Sequence, residues 1–197
     1  MTAEIRSAGA GDREAVAGLL AAGFDQDPVS GWIFPGEEHR RSTHHRLMAA
    51  FFDIVLAAGR IDLLDDGSAV ALWLPVPDGG MSEDDTGPAE LRAAIDPGNE
   101  RIETMARLTA RVHPKRAHDY LWLIAVDPAH QGRGLGTALL RPALDRCDRT
   151  SRPAYLEASS PSSRRLYSRL GFSTDEPPLV LPDGPPVWPM WREPRTG

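Results

Sequence analysis

The chain has 197 residues, with 22 basic and 28 acidic side chains and a formal net charge of −6 at pH 7. This length predicts one domain with a continuous core. The single cysteine, Cys147, excludes an internal disulfide framework and a cysteine-clustered metal site. The acidic balance argues against a general nucleic-acid-binding protein, whose surface is normally basic. A partner that carries phosphates would therefore have to be held by a local feature of the chain.

The sequence contains no pattern of a signal peptide or a membrane span. Its N-terminus lacks a basic region followed by an apolar core, and no run approaches the roughly 18 apolar residues that cross a bilayer. We therefore expect a cytoplasmic protein without a metal, a nucleic-acid partner or a membrane partner.

The N-terminal part predicts a strand, two helices and a hairpin, in that order. The strand covers residues 5–8, and Asp12 caps a helix that runs to about Ala22 and ends at Gly23. Residues 24–36 contain two prolines and two glycines and predict a loop. The remaining predictions are a helix over 37–58 and strands over 60–64 and 69–74, the second ended by Pro75 and Pro77.

The C-terminal part alternates helices and strands. The run YLWLIAV, residues 120–126, predicts a strand buried on both faces. The other predicted helices cover 88–95, 99–112, 134–149 and 162–169; the other predicted strands cover 154–158, 172–174 and 187–191, with a loop over 177–186. The sequence has no internal repeat and no convincing linker, so we expect one α/β domain with a mixed sheet.

The most informative segment is the glycine-rich loop that follows the buried strand. Gly132, Gly134 and Gly136 stand where a helix begins, and the unpaired N–H groups of a helix start can bind an anion such as pyrophosphate. A Walker A loop would need a lysine before Thr137, and a dinucleotide-binding loop would need the spacing G-x-G-x-x-G, whereas the chain has G-x-G-x-G.

The loop resembles the acetyl-CoA loop of the GCN5-related N-acetyltransferase (GNAT) family, Gln/Arg-x-x-Gly-x-Gly/Ala, which residues 131–136 match at every fixed position. Residues 155–172 resemble the family's next strand and helix, including Leu166-Tyr167 and the later Leu-Gly-Phe. The resemblance covers roughly 119–192. Within the family, the chain looks most like puromycin N-acetyltransferase-type members, on the loop, the strand end and the tail 180–188.

The resemblance implies a single GNAT-like α/β domain over 1–197, with a mixed, mostly antiparallel, twisted sheet flanked by helices. A V-shaped splay would separate its two central parallel strands. Residues 1–75 would form the acceptor side, 76–118 a helical insertion and 119–192 the acetyl-CoA-binding half. The implied activity is direct acetyl transfer from acetyl-CoA to the primary amine of a small molecule, by a monomer or homodimer. A protein acetyltransferase acting on N-termini or lysines, and a non-catalytic acetyl-CoA sensor, remain open.

The implied site residues fall into three groups. Tyr167 is the candidate acid for the leaving thiolate and Glu157 the first choice of general base. Ser160 stands where many members have an asparagine. The residues expected to bind acetyl-CoA are Ile124, Ala125, Val126, Gln131, Gly132, Arg133, Gly134, Leu135, Gly136, Thr137, Ser160, Ser163 and Tyr167. The residues expected to line the acceptor pocket are Phe24, Trp32, Phe34, Phe52 and Trp188, with Trp191 nearby.

Several further polar residues are weaker candidates. Asp25 and Asp27 lie in the segment that borders the acceptor site in this family, although such residues often cap the next element. We expect His44 and His45 on the surface of the second helix and His130 facing solvent.

Overall fold

A mixed sheet of seven strands forms the centre of the protein, which is described by a computed structural model over residues 4–81, 95–174 and 176–195. The strands are β1 (Ile5–Ser7), β2 (Arg60–Leu64), β3 (Ala69–Val76), β4 (His118–Val126), β5 (Ala154–Ala158), β6 (Leu179–Val180) and β7 (Pro186–Arg192). The helices are α1 (Arg13–Phe24), α2 (Pro28–Ile33), α3 (Glu37–Ala58), α4 (Glu100–Val112), α5 (Leu135–Arg149) and α6 (Pro161–Arg169), with short 3-10 turns at Ala10–Asp12 and Pro128–His130.

The strand order is β1-β2-β3-β4-β5-β7-β6. Every neighbouring pair is antiparallel except β4 and β5, which are parallel. This topology confirms the predicted mixed, mostly antiparallel sheet.

The two parallel strands separate soon after they meet. They pair only at Asp119 with Ala154 and at Tyr120 with Tyr155. From there β4 continues to Val126 and β5 to Ala158 without further pairing between them. The predicted splay is thereby confirmed, and it opens a gap in the middle of the sheet.

A β-bulge at Trp122 turns the backbone of β4 toward that gap. Leu121 pairs with Trp73 and Leu123 with Leu72, so Trp122 is an extra residue on β4. The N–H of Asp127 donates to the carbonyl of Ser68 beside β3. Because successive residues of a strand point to opposite edges, the backbone groups of Ile124 and Val126 face the gap instead.

Helices cover both faces of the sheet. On one face α1 and α3 pack Val16, Leu20 and Phe52 against β2, β3 and β4. On the other face α5 and α6 contribute Leu140, Leu144 and Tyr167 to a second cluster. Each helix buries an apolar stripe, which is the physical reason that the amphipathic segments of the sequence fold as they do.

A smaller cluster joins α2, α4 and the C-terminal strands. Val29 and Trp32 pack with Leu181 and Val187, and Met105 of α4 lies against them. The indole N–H of Trp32 donates to the carbonyl of Pro182 at 2.8 Å. A guanidinium N–H of Arg101 donates to the carbonyl of Trp32 at 2.6 Å, so α4 is held against α2.

Two predictions around residues 23–36 are wrong. Gly23 does not end α1; a Cβ there would lie 2.8 Å from the Cβ of Ala125, so the glycine permits close packing of α1 on β4. Residues 24–36 are not a loop throughout, because they contain α2. Asp27 caps α2 by accepting from the N–H groups of Val29 and Ser30, and Pro28 fits the first turn.

Other differences lie at element ends. Pro75 lies within β3 and does not end it, and the predicted loop over 177–186 contains β6. The predicted strand over 172–174 is a single bridge between Ser173 and Trp191. The predicted helix over 88–95 lies almost entirely outside the described residues. Within the described ranges, no helix combines the length and apolar character needed to cross a membrane.

His118 is buried at the point where β4 and β5 pair. Its ring lies 5.5 Å from that of Tyr155 and 5.4 Å from that of Trp191, centroid to centroid. Nδ1 donates to the carbonyl of Arg116 at 2.7 Å. Burial lowers the pKa of His118 to about 4, because the apolar surroundings disfavour the charged ring.

This burial predicts a pH-dependent stability. Between pH about 6.5 and about 4 the unfolded chain binds a proton at His118 that the folded chain does not, so the free energy of unfolding falls with falling pH. The loss over that window is about 3 kcal/mol. Urea titrations of His118→Asn should show a correspondingly weaker pH dependence than the wild type.

The matched control is His45→Asn, whose side chain is 44% exposed. It should keep the pH dependence of the wild type. An unchanged pH dependence in His118→Asn would contradict the assigned burial cost.

Candidate active site

The gap between β4 and β5 opens into a cleft of about 940 Å³. Side chains and backbone of α1, α2, α3, α4 and α6 complete its walls, together with the loop between β4 and α5. The glycine-rich loop lies at one end of the cleft and apolar side chains of the N-terminal helices lie at the other.

The glycine-rich loop presents a helix start to the cleft. Gly132 and Gly134 have φ of +76° and +81°, which a residue with a Cβ adopts only with strain. Gly134 is the N-cap residue of α5 and offers no side chain to the first-turn N–H groups, which remain available to an anion. The side-chain amide of Gln131 donates to the carbonyl of Val126 at 3.2 Å, which ties the loop to the end of β4.

Most of the residues predicted to bind acetyl-CoA line the cleft. They are Ile124, Ala125, Val126, Gln131, Gly132, Gly134, Leu135, Gly136, Thr137, Ser160, Ser163 and Tyr167. Arg133 differs, because its side chain is exposed and lies outside the lining. The side chain of Ala125 packs against α1. Because the backbone groups of successive residues point to opposite edges of β4, the N–H and carbonyl of Ala125 do not face the gap.

Ser160 and Ser163 cap the start of α6. The Oγ of Ser160 accepts from the N–H of Ser163 at 3.1 Å, and the Oγ of Ser163 accepts from the N–H of Ser160 at 3.2 Å. This reciprocal pair satisfies two backbone donors of the helix. The hydroxyl of Ser160 therefore has a structural partner at the position where many family members carry an asparagine.

Tyr167 points from α6 into the middle of the cleft. The residue is 6% exposed, and its ring packs edge-on against Phe172 at 6.0 Å. Burial and the nearby Asp27 carboxylate raise the pKa of Tyr167 above its ordinary value. Among the described residues its hydroxyl has no hydrogen-bond partner. It is thus a protonated donor that is free to bond to a group within the cleft.

Asp27 connects α2 to the end of β5. One carboxylate oxygen caps α2, and the other accepts a short hydrogen bond from the hydroxyl of Ser159. Burial raises the pKa of Asp27, and its hydrogen bonds oppose that shift only in part. Asp25, by contrast, faces Arg40 and Arg41 and does not line the cleft.

Glu157 lies in the cleft wall at the root of the splay. Its Oε2 accepts a hydrogen bond from the hydroxyl of Tyr120 at 2.7 Å. Its Oε1 lies 3.7 Å from Nδ1 of His113 and has no hydrogen-bond partner within the described structure. The sequence alone does not indicate that Tyr120, His113 and His118 are neighbours of this carboxylate. The one signal in it is a pair of histidines, His113 shortly before a buried strand and His118 at its start.

The apolar end of the cleft differs in part from the predicted acceptor pocket. Phe24 and Phe34 line it, as expected, but Trp32, Phe52 and Trp188 do not. Trp32 belongs to the small C-terminal cluster, Phe52 is fully buried in the main core, and Trp188 packs beneath Arg164. Their places are taken by residues that the prediction omitted, among them Met48, Phe51, Ile102, Met105 and Trp122.

The structure contradicts the predicted surface position of His44 and agrees with that of His45. His44 is not a surface residue: it is 1% exposed, lines the cleft and packs edge-on against Phe34 at 5.4 Å. The aromatic and aliphatic side chains around α3 bury it, and this burial lowers its pKa. His45 faces solvent beside Glu14. His130 borders the cleft with a side chain that is 43% exposed.

Comparisons with known proteins agree with this geometry. Residues 87–172 match the sequence profile of the Acetyltransferase (GNAT) family. The chain is similar to a solved protein from Corynebacterium glutamicum described as histone acetyltransferase HPA2 and related acetyltransferase. The identity is 26%, the TM-score is 0.72, and 100% of this chain and 99% of that chain are covered.

Two more distant structures share the fold. Arylalkylamine N-acetyltransferase 2 from Aedes aegypti is 16% identical with a TM-score of 0.65, over 98% of this chain and 99% of that chain. An agmatine N-acetyltransferase is 15% identical with a TM-score of 0.66, over 98% of this chain and 100% of that chain. Residues 87–172 thus match the GNAT acetyltransferase family, and the splayed sheet has the fold of solved acetyltransferases.

Proposed function

We propose that the protein transfers an acetyl group from acetyl-CoA directly to the primary amine of a small molecule. One observation carries this proposal: a single cleft joins the glycine-rich loop to an apolar end that includes side chains of α4. Ile102, Met105 and Thr109 of α4 contribute to the wall at that end. Apolar walls of this kind suit the body of a small acceptor.

Acetyl-CoA would lie along the half of the chain from 119 to 192. The first-turn N–H groups of α5 would hold its pyrophosphate, and the backbone of Ile124 and Val126 would bond to its pantetheine amides. When bound, it supplies the activated acetyl thioester. Residues 1–75 and the insertion 76–118 would then form the acceptor side.

Glu157 is the proposed general base and Tyr167 the proposed general acid. An amine attacks only in its neutral form, so Glu157 takes a proton from the ammonium group. As the carbon–sulfur bond breaks, the hydroxyl of Tyr167 donates its proton to the departing thiolate, and the tyrosinate takes up the second proton that the nitrogen loses as the amide forms. Burial and Asp27 keep the pKa of Tyr167 high, so the phenol is protonated at neutral pH and can act as a donor.

The lining supports an amine with an apolar or aromatic body. Phe24, Phe34, Phe51, Met105 and Trp122 surround the acceptor end. The carboxylates of Asp27 and Glu157 lie in the same cleft and, with the net charge of −6, favour a cationic group. Structures of this fold include enzymes named for arylalkylamine and agmatine, both small amines. A puromycin N-acetyltransferase-type relationship stays a proposal, supported by the tail 180–188.

A second candidate is acetylation of proteins. The solved protein from Corynebacterium glutamicum carries the words histone acetyltransferase in its description. That name keeps a lysine side chain or a protein N-terminus among the acceptors to be tested. A non-catalytic acetyl-CoA sensor is the remaining alternative.

The function is tested by pairing calorimetry with a turnover assay. Calorimetry should show acetyl-CoA binding, and thiol detection should show CoA release with arylalkylamines or aliphatic amines but not with lysine-containing peptides. Release with peptides alone would favour the second candidate, and binding without release in the whole panel would favour the sensor. Failure to bind acetyl-CoA would overturn all three.

The loop geometry predicts the effect of Gly134→Ala. An alanine at φ of +81° costs about 1–2 kcal/mol of strain. We expect the first turn of α5 to relax, so that its N–H groups turn away from the pyrophosphate. We expect acetyl-CoA affinity to fall about tenfold in calorimetry. Gly67→Ala is the matched control: its φ is +73°, but it lies in the β2–β3 turn and should leave the affinity unchanged. Equal affinities in the two variants would refute this role for the loop.

The role of Tyr167 predicts a selective loss in Tyr167→Phe. Removing the hydroxyl should lower kcat about 100-fold, because the thiolate leaves without a proton donor. The dissociation constant of acetyl-CoA should change less than about twofold. Trp188→Phe alters an aromatic side chain outside the cleft and should keep kcat. A Tyr167→Phe enzyme with normal kcat would exclude the acid role.

A further inference from the structure

Glu157 lies between the cleft and two buried histidines. His113 is the C-cap residue of α4, and His118 is the first residue of β4. The side chains of His113 and Glu157 are 9% and 7% exposed. The rings of Tyr120 and Tyr155 pack edge-on against His113, with centroids 4.8 and 4.9 Å away. We call these five residues the Glu157 cluster.

The hydrogen bonds of the Glu157 cluster show which ring nitrogen of each histidine carries a proton. Nδ1 of His118 lies 2.7 Å from the carbonyl oxygen of Arg116, and because a carbonyl only accepts, this nitrogen carries a proton. The pKa of His118, lowered to about 4 by burial, makes its ring neutral at pH 7, so its Nε2 is an acceptor. The proton in the 3.1 Å contact between the two Nε2 atoms therefore belongs to His113.

This assignment leaves Nδ1 of His113 as the nitrogen that faces Glu157. It lies 3.7 Å from Oε1, the buried oxygen without a hydrogen-bond partner in the described part of the chain. Oε2 is already bonded to Tyr120. The lone pairs on Nδ1 of His113 and Oε1 of Glu157 face each other and repel, whereas a proton between these two atoms would be attracted to both. The pair is therefore arranged to take up a single proton.

We propose that His113 is a positioning residue that receives, through Glu157, the proton that the acceptor amine loses before it attacks. This inference rests on the proposed function, since it needs an ammonium group beside Glu157. An N–H bond of the ammonium breaks, its electron pair stays on nitrogen, and the proton binds to the Glu157 carboxylate. The proton then moves to Nδ1 of His113, which restores the carboxylate and leaves an imidazolium. After the products leave, the imidazolium returns the proton through Glu157 to water in the cleft.

The surroundings of His113 favour that final state. The carbonyl end of α4 lies at His113, where the helix dipole stabilises a cation. The titratable groups that face the ring are Glu157, Tyr120, Tyr155 and His118, and Arg152 adds a positive charge near His118. Burial, reinforced by Glu157, raises the pKa of both tyrosines, so they stay neutral. Of these groups, Glu157 supplies the negative charge that attracts the proton.

His113 does not line the cleft, so it acts on the substrate only through Glu157. A structural role alone would change stability or affinity, whereas a proton-accepting role changes the pH dependence of turnover. The two roles are therefore separable by experiment.

The first experiment measures kcat/KM for the amine against pH in His113→Gln and the wild type. Without His113, the proton that Glu157 takes up has no nitrogen to move to. We expect the acid limb of the profile to move and the plateau to fall about tenfold. Acetyl-CoA affinity should change less than about twofold. His45→Gln, on the exposed face of α3, should keep the wild-type profile.

An acid limb at the same pH in His113→Gln and the wild type would overturn the inference. A second measurement needs neither turnover nor a variant of His113. In wild-type protein labelled with ¹⁵N-histidine, the ¹⁵N shifts should show that the ring proton of His113 lies on Nε2 and that Nδ1 is bare. A proton on Nδ1 would also overturn the inference. Failure of the proposed function is distinct, because it would appear as no CoA release from the wild type with any amine.

Discussion

The early end of the pairing between β4 and β5 is the constraint on which the rest of the structure depends. After two residue pairs the strands diverge, and the sheet is held together by their outer partners, β3 and β7. The bulge at Trp122 lets β4 stay paired with β3 while its last residues turn backbone groups into the gap. Unpaired backbone inside a protein is costly unless a partner satisfies it, so the splay is understandable as a binding site for an amide-rich ligand.

The acidic net charge of the protein is compatible with the phosphates of the proposed ligand, because backbone N–H groups can bind them. A net charge of −6 suits a phosphate-bearing partner poorly. The start of α5, however, presents N–H groups and a positive dipole end, which require glycines at 132 and 134 and no basic side chain. Arg133 is exposed, which agrees with phosphate binding by backbone N–H groups instead of a basic side chain. The carboxylates of Asp27 and Glu157 line the same cleft, and there we propose that a cationic amine binds.

The sequence predicts those elements whose interactions are local in the chain, and it does not predict features that depend on residues far apart in the sequence. The strand, loop and helix from 120 to 149 are consecutive and depend on local periodicity and glycines, so the sequence alone predicts them. The local sequence does not indicate α2, because Asp27 combines capping with a contact to Ser159, 132 residues away. His44, His113 and His118 are polar by type, yet helices and strands distant in sequence bury them. Which aromatic residues line the cleft likewise depends on how α2 and α4 pack, which no local pattern encodes.

We propose that the splay between β4 and β5 binds acetyl-CoA, and a crystal structure of the protein with acetyl-CoA tests this most directly. We expect the pantetheine arm along Ile124 and Val126, the pyrophosphate on residues 132–136, and the sulfur within hydrogen-bonding distance of the Tyr167 hydroxyl. Acetyl-CoA bound at any other surface, or a complex in which β4 and β5 pair along their whole length and close the cleft, would contradict the account.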